Sequence, residues 1–273
     1  MSTKQVGEFS VTAVSDGVLY TTHDVVLGVE KEDSARLTGV PYGQQLALDV
    51  NSFLIRHGGK TILSDAGSGH TMQPTLGKLP ENLRAVGADP GSIDIIMLTH
   101  LHGDHSLGLV DEQGRAVFPK AELLIHKVEA AFWLDRTLQP NDSERIVRNS
   151  NNQRAVTAPY RGRIRRIKDG EVLPGITATM RPGHTPGHTN WLIQSGGERL
   201  LIWGDIVHLA SVQLARPEAR LIYDVDTDLA AATRAKVLDW AATERLTVAG
   251  AHLGFPGFGR VVRSGDRFAI ESV

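Results

Sequence analysis

The chain has no cysteine among its 273 residues, so disulfides and thiolate metal ligands are excluded, and any metal it binds must be held by imidazole or carboxylate. It has no excess of charge either. Against 31 Asp and Glu stand 29 Lys and Arg, and a net −2 gives no general attraction for nucleic acid; a polyanionic substrate would need a local basic site. No apolar run approaches the ~20 residues that cross a bilayer, and the stretch Met1 to Glu8 lacks the apolar core of a secretion signal. A cytoplasmic protein with no membrane and no nucleic-acid partner is expected. Repeats and low-complexity segments are also missing. What is left is an ordinary globular composition, 41% hydrophobic and 22% charged, and a length that lets residues 1–273 be read as a single domain.

Against that plain background stands His100-Leu101-His102-Gly103-Asp104-His105, four metal-ligand side chains in six residues. At the chain's own His and Asp frequencies such a run arises by chance about once in 10³ sequences of this length. It follows the buried-strand pattern Ile93-Asp94-Ile95-Ile96-Met97-Leu98. Imidazoles at i and i+2 leave the same side of an extended segment, and Gly103 lets the backbone turn so that Asp104 and His105 point back toward them. Imidazole and carboxylate together select a borderline divalent ion, above all zinc.

Short apolar runs dominate the first third: Phe9 to Val14, then Phe53-Leu54-Ile55 and Thr61-Ile62-Leu63 across Gly58-Gly59, a meander of strands. A helical pattern from about Thr75 to Val86 closes at Gly87. Ala121 to His126 reads as a strand, and Val128 to Leu134 starts a helix bearing Phe132 and Trp133. Residues 136–160 are polar and Asn-rich, and form either short helices or a mobile cap over the site. Strand patterning returns at Ile164–Ile167, Ile176–Met180, Trp191–Gln194 and Leu200–Trp203. An amphipathic helix beyond Asp226 and Asp228 carries Leu229, Ala232, Val237, Trp240 and Ala241 on one face. Leu246 to Ala249 leads as a strand into His252, and Phe258 to Val273 is strand-like. The basic run Arg161 to Lys168 reads as a solvated edge strand blunted by charge.

This order implies two sheets packed face to face with helices outside and ligands on loops at one edge. Six residues cannot close two coordination spheres, so further ligands are sought just beyond strand ends. His184 or His188 in Arg181-Pro182-Gly183-His184-Thr185-Pro186-Gly187-His188, Asp205 after Leu200–Trp203, and His252 after Val248-Ala249-Gly250-Ala251 fit that position.

These motifs resemble the dinuclear hydrolases of the metallo-β-lactamase fold, an α+β, four-layer αββα sandwich with its metal site at one edge of the two sheets. The resemblance spans Asp65 through His252 and includes Asp65-Ala66-Gly67. It implies two divalent ions, most readily Zn2+. His100, His102 and His184 would hold the first, and Asp104, His105 and His252 the second, with Asp205 bridging them. His188 and Asp65 would orient ligands, while His23, His57, His70 and His126 receive no role.

Two metals sharing a water favour hydrolysis. The commonest metallo-β-lactamases have Cys where Asp205 stands, which this chain lacks. The local runs Ala131-Phe132-Trp133-Leu134 and Ala251 to Gly259 resemble the methyl-parathion-hydrolase-like and lactonase branch. That resemblance implies a lactonase or arylesterase with promiscuous phosphotriesterase activity, a small-molecule ester or lactone substrate, and a homodimer. Trp133, Phe132 and Phe255 would line the substrate pocket, and Asp104 would steer a proton toward the leaving group. Homoserine-lactone lactonases place Tyr three residues after the bridging Asp; here His208 occupies that position as a candidate catalytic donor. Thioester hydrolysis of the glyoxalase II type and a non-catalytic metal-stabilised sensing module are the alternatives.

Overall fold

Alternation along the strands decides which residues face which core. In the computed structural model, which describes residues 2–273, Ile95 and Met97 point into one apolar cluster while Ile96 points into another. Phe53 and Ile55 likewise part company with Leu54, and Leu200 and Ile202 with Leu201 and Trp203. Strands apolar on both sides must be covered on both sides.

The first sheet contains β1 (Thr3–Val6), β2 (Phe9–Thr21), β4 (Leu46–His57), β5 (Lys60–Ser64), β6 (Ile95–Met97), β7 (Glu122–His126) and β8 (Ile164–Ile167), in that spatial order. β3 (Val26–Leu27) pairs instead with β13 (Arg220–Leu221) in a small ribbon. The second sheet runs β16 (Arg267–Glu271), β15 (Phe258–Ser264), β14 (Thr247–Gly250), β12 (Glu198–Gly204), β11 (Thr189–Ser195), β10 (Ile176–Met180), β9 (Gly170–Leu173). Phe53, Ile55, Ile95, Met97 and Leu124 of the first sheet meet Trp191, Ile193, Leu200, Ile202 and Ala249 of the second in the central core. Outside the first sheet pack α2 (Leu79–Ala85), α4 (Lys127–Ala130) and α5 (Glu144–Thr157); outside the second packs α7 (Thr227–Thr243). The short helices α1 (Lys31–Thr38), α3 (Gly103–Ser106) and α6 (Ala210–Gln213) complete the chain. The four-layer αββα sandwich expected from the sequence is the observed fold.

β5 to β8 are parallel, as are β12 and β14. The loops leaving β5, β6, β12 and β14 therefore emerge at one edge, where open sheets place their sites.

Several elements differ from the sequence reading, each for a local reason. The helix expected from Thr75 begins only at Leu79, because Gly77 adopts φ +79° and the buried Asp16 carboxylate accepts the Gly77 and Leu79 N–H groups. The helix expected over Val128–Leu134 is one α-turn followed by a π-turn at Ala131–Asp135. Residues 144–157 form one helix, with the Ser143 hydroxyl accepting from Ile146 N–H. On α7 the buried face is Ala230, Thr233, Arg234, Val237, Leu238 and Ala241, and Leu229 is 41% exposed. Hydropathy alone misses that face because its centre is Arg234. β8 is the charged edge strand expected, with Arg165 paired to Glu122 and Arg166 to Asp135.

Arg234 is buried and donates to the carbonyls of Ile206, Pro217 and Ala219. Burial lowers its pKa to about 10, opposed by the Asp224 carboxylate. Arg234→Met leaves those carbonyls unpaired in the interior and is expected to destabilise the fold by about 3 kcal/mol in a denaturant titration. A loss below about 1 kcal/mol would contradict this account of α7.

Candidate metal centre

The histidine-rich segment is extended up to His102 (φ −90°, ψ 166°) and turns at Gly103 into the single turn of α3. His100 and His102 thus share one side, and Asp104 and His105 return from the helix. Asp65, just after β5, sits at φ +62°, a conformation that costs a non-glycine residue about 1 kcal/mol. Its carboxylate accepts from Thr99 N–H at 2.8 Å, from the Thr99 hydroxyl, and from His105 Nδ1 at 3.0 Å. The strained turn therefore fixes the His105 ring, leaving Nε2 to face the site.

Three groups of ligand atoms result. His100, His102 and His184 form one; Asp104, His105, Asp205 and His252 form a second; His184, Asp205 and His208 form a third that shares its first two members with the others. His184 Nε2 lies 2.8 Å from His102 Nδ1 and 3.1 Å from His100 Nε2. Because His184 Nδ1 faces the Asp224 carboxylate at 2.8 Å, the proton of the neutral ring belongs there, and Nε2 is the nitrogen that offers a lone pair once it is deprotonated. Lone pairs this close suit a shared cation, since ligand atoms on a tetrahedral ion with bonds of ~2.0–2.1 Å stand ~3.3 Å apart.

Asp205 lies between the groups. Its Oδ2 is 3.2 Å from His184 Nε2 and 3.6 Å from His100 Nε2, whereas its Oδ1 is 3.1 Å from His105 Nε2 and 3.4 Å from His252 Nε2. Asp205 Oδ1, His105 Nε2 and His252 Nε2 are all buried without a hydrogen-bond partner. Buried nitrogen and oxygen atoms left without partners on convergent side chains are what a divalent ion satisfies once the rings are neutral, so these residues fit a metal pair.

Each ring is held from behind. Asp224 orients His184, the Asp49 carbonyl accepts from His252 Nδ1 at 2.9 Å, and the Thr99 hydroxyl faces His100 Nδ1 at 3.0 Å. His188 does not join a ligand group: its Nε2 accepts the Asp205 backbone N–H at 3.0 Å, and burial drives its pKa down to about 3. His208 Nε2 is 3.0 Å from Asp205 Oδ2, and its ring stacks on His252. Burial takes His208 down to about 4, outweighing the pull of Asp205, so the ring is neutral at pH 7. His184 and His252 go the other way. Burial opposes their charge, but the carboxylates of Asp205 and Asp224 raise His184 to about 9, and those of Asp205 and Asp104 raise His252 to about 10.

A cavity of about 510 Å³ opens over the centre. Asp104, Asp205, His208 and Tyr223 reach it, Leu19, Leu48, Leu107 and Val110 make it apolar, and the α5 face with Arg148, Asn149 and Asn152 forms one side. None of the three aromatics expected to line a pocket does so. Trp133 is fully buried, with Nε1 bonded to Glu129 at 2.8 Å and its ring packed edge-on to His102. Phe132 packs against the outer core under the Arg136 guanidinium. Phe255 is 49% exposed, with its N–H on Asp49. The π-turn explains the first two, because it rotates the Phe132-Trp133 pair away from the cavity.

A model of the metallo-beta-lactamase superfamily matches residues 46–252. The chain belongs to that superfamily. Among solved structures, the superfamily chain is similar to AbOPH, described as a hydrolase of the beta-lactamase superfamily, at 30% identity and TM-score 0.91 over 99% of this chain and 96% of that one. It is equally superposable on AidC, described as a dizinc quorum-quenching lactonase, at 25% identity and TM-score 0.91, covering 100% and 97% of the two chains. Curated relatives include the Bacillus subtilis protein YobT, 28% identical over 59% of this chain and 63% of that protein. An N-acyl homoserine lactonase of a Bacillus species is 26% identical over 41% and 38%. The chain thus spans less than two thirds of the curated relatives it matches first.

Four residues that hold or line this site escaped the sequence reading. Asp224 and Tyr223 come from an irregular loop with no motif, Thr99 is a lone hydroxyl ahead of the histidine run, and Asp49 contributes a backbone carbonyl, which no side-chain pattern reports. Metal uptake by the metallo-beta-lactamase-superfamily centre must displace protons from His184 and His252, whose raised pKa values keep them charged at pH 7. Zinc titration is therefore expected to release protons, and affinity to weaken steadily as pH falls from 9 to 6. Proton-free uptake of constant affinity across that range would contradict the assignment.

Proposed function

We propose that the protein is a dinuclear zinc hydrolase that opens lactones and cleaves related carboxylic esters. The observation that carries this reading is the Asp205 carboxylate, which turns one oxygen to each group of histidines. His100, His102 and His184 would hold one ion, and Asp104, His105 and His252 the other. Bound there, the pair would bring the pKa of water toward neutrality and polarise the bond under attack.

The chain's own residues do the rest. The Asp65, Asp224, Asp49 and Thr99 contacts keep the ligand rings from turning, so little reorganisation is needed when charge develops. Asp104, with its Oδ2 3.3 Å from His252 Nε2 and its side chain still reaching the cavity, stands where a proton can be steered toward the leaving oxygen. Tyr223 brings a phenol to the cavity wall beside His208, with ring centroids 6.0 Å apart, and its hydroxyl is 2.6 Å from that of Thr21. It is the donor we assign to the substrate carbonyl, the part that a Tyr three residues after Asp205 would otherwise fill. His208 then serves Asp205 rather than the substrate.

Since Trp133, Phe132 and Phe255 stand outside the cavity, the expectation of an aromatic substrate loses its footing. Aliphatic walls at Leu19, Leu48, Leu107 and Val110 favour an acyl chain, with Arg148, Asn149 and Asn152 available to its polar groups. Likeness to proteins described as N-acyl homoserine lactonases agrees with this preference.

The zinc-loaded protein should be assayed on homoserine lactones of graded acyl length, aryl esters and phosphotriesters. The highest kcat/KM is expected on acylated lactones, with aryl esters and phosphotriesters as slower side reactions; no turnover of any lactone or ester by protein carrying two ions would overturn the proposal. Tyr223→Phe is expected to lower kcat on lactones by about 10² with metal content unchanged, the usual effect of losing one donor to a developing oxyanion. Unaltered kcat would remove Tyr223 from the mechanism.

A further inference from the structure

Glu129 is fully buried and has no Lys, Arg or His ion-pair partner among the described residues. A carboxylate in that position should be expensive, by several kcal/mol, unless every lone pair is met. Here four donors meet it. Oε1 accepts from Leu101 N–H at 2.8 Å and from Trp133 Nε1–H at 2.8 Å; Oε2 accepts from the Thr185 hydroxyl at 2.7 Å and from Gly187 N–H at 2.9 Å. Burial raises the Glu129 pKa, and the four donors aimed at its oxygens oppose that by favouring the ionised, acceptor-only form.

The identity of the donors gives this a functional meaning. Leu101 lies between His100 and His102, and Thr185 directly follows His184. The two loops that carry the three histidines of the first group come from different sheets, and Glu129 ties each to the same carboxylate by a backbone N–H. The fit is close at Gly187, where a Cβ would stand 2.2 Å from Glu129 N. Trp133, four residues on and brought round by the π-turn, adds the fourth donor and packs its ring 5.7 Å from that of His102.

We propose that Glu129 is a positioning residue that holds the His100–His102 and His184 loops in register, so that the first metal group is assembled before an ion arrives. Trp133 acts with it as its indole donor. The inference rests on the metal-centre reading above, and goes beyond it by naming a residue that touches neither metal nor substrate.

Glu129→Gln replaces one acceptor oxygen by a donor and leaves at least one of the facing N–H groups unpaired. Calorimetric titration of the metal-free wild type and variant with Zn2+ tests the idea, alongside thermal unfolding of the metal-free forms. Two ions in the wild type are expected. In Glu129→Gln one of them should bind at least tenfold more weakly, as loss of a ligand-orienting partner does, while the other changes by less than threefold. Two ions bound with unchanged affinities, even at a lowered metal-free Tm, would assign Glu129 to folding alone and overturn the proposal. Fewer than two ions in the wild type would instead defeat the metal-centre reading. If Glu129→Gln does not fold, Thr185→Val carries the test: it removes only the hydroxyl donor beside His184, and is expected to weaken one ion at least threefold. An unchanged affinity there would equally count against Glu129.

Discussion

Everything at the open edge of this sandwich depends on where the Asp205 carboxylate is held. It is buried, and burial resists its charge; the imidazoles of His105, His252, His208 and His100 hold it well below the usual carboxylate range. A buried carboxylate facing histidines on both sides is stable only with positive charge around it, supplied either by protons on the rings or by cations between them. The two alternatives compete for the same lone pairs. That competition makes the centre responsive to metal and to pH together.

Backbone constraints place that carboxylate. Gly204 adopts φ +56°, and a Cβ there would lie 2.7 Å from His188 Nε2 and 2.9 Å from the Thr99 Cβ, so only glycine lets β12 turn into Asp205 at this point. His188 then takes the Asp205 N–H, and Arg234 takes the carbonyl of Ile206 next in the chain. α7 packs on the outside of the second sheet, yet through one buried guanidinium it reaches the loop behind the metal centre. Opposite, Asp65 fixes His105 and Thr99, and Glu129 joins the loops from the two sheets. Stability and function are therefore coupled here: each polar group buried at this edge answers a partner that an apolar replacement would leave unpaired, and together they secure geometry.

Much of this was legible in the chain. The dense run from His100 to His105, with His184, Asp205 and His252 beyond later strands, pointed to seven candidate ligands because each sits where a strand pattern ends, and the structure brings these side chains together. The order of strand and helix patterns indicated two sheets, and the apolar residues on both sides of those strands feed the cores on either face. What stayed hidden was whatever depends on long-range contact or on breaks in periodicity. Trp133 reads as a pocket aromatic until the π-turn is known, and the buried face of α7 is missed because Arg234 lies at its centre. Tyr223 and Asp224 carry no motif; they are recruited by a loop that the Arg145 guanidinium pins through the carbonyls of Ile222 and Asp224. The polar segment at 136–160 left short helices and a mobile cap as alternatives; residues 144–157 are one helix, and its Arg and Asn residues line the cavity as one face.

All of this turns on one carboxylate, Asp205, facing both groups of histidines. Anomalous diffraction from zinc-soaked crystals at the zinc edge tests it most directly. Two peaks about 3.5–4 Å apart are expected, the spacing of two-metal hydrolytic centres, one among His100, His102 and His184 and the other among Asp104, His105 and His252, each within bonding distance of a different Asp205 oxygen. A single peak, or two peaks that do not share Asp205, would contradict it.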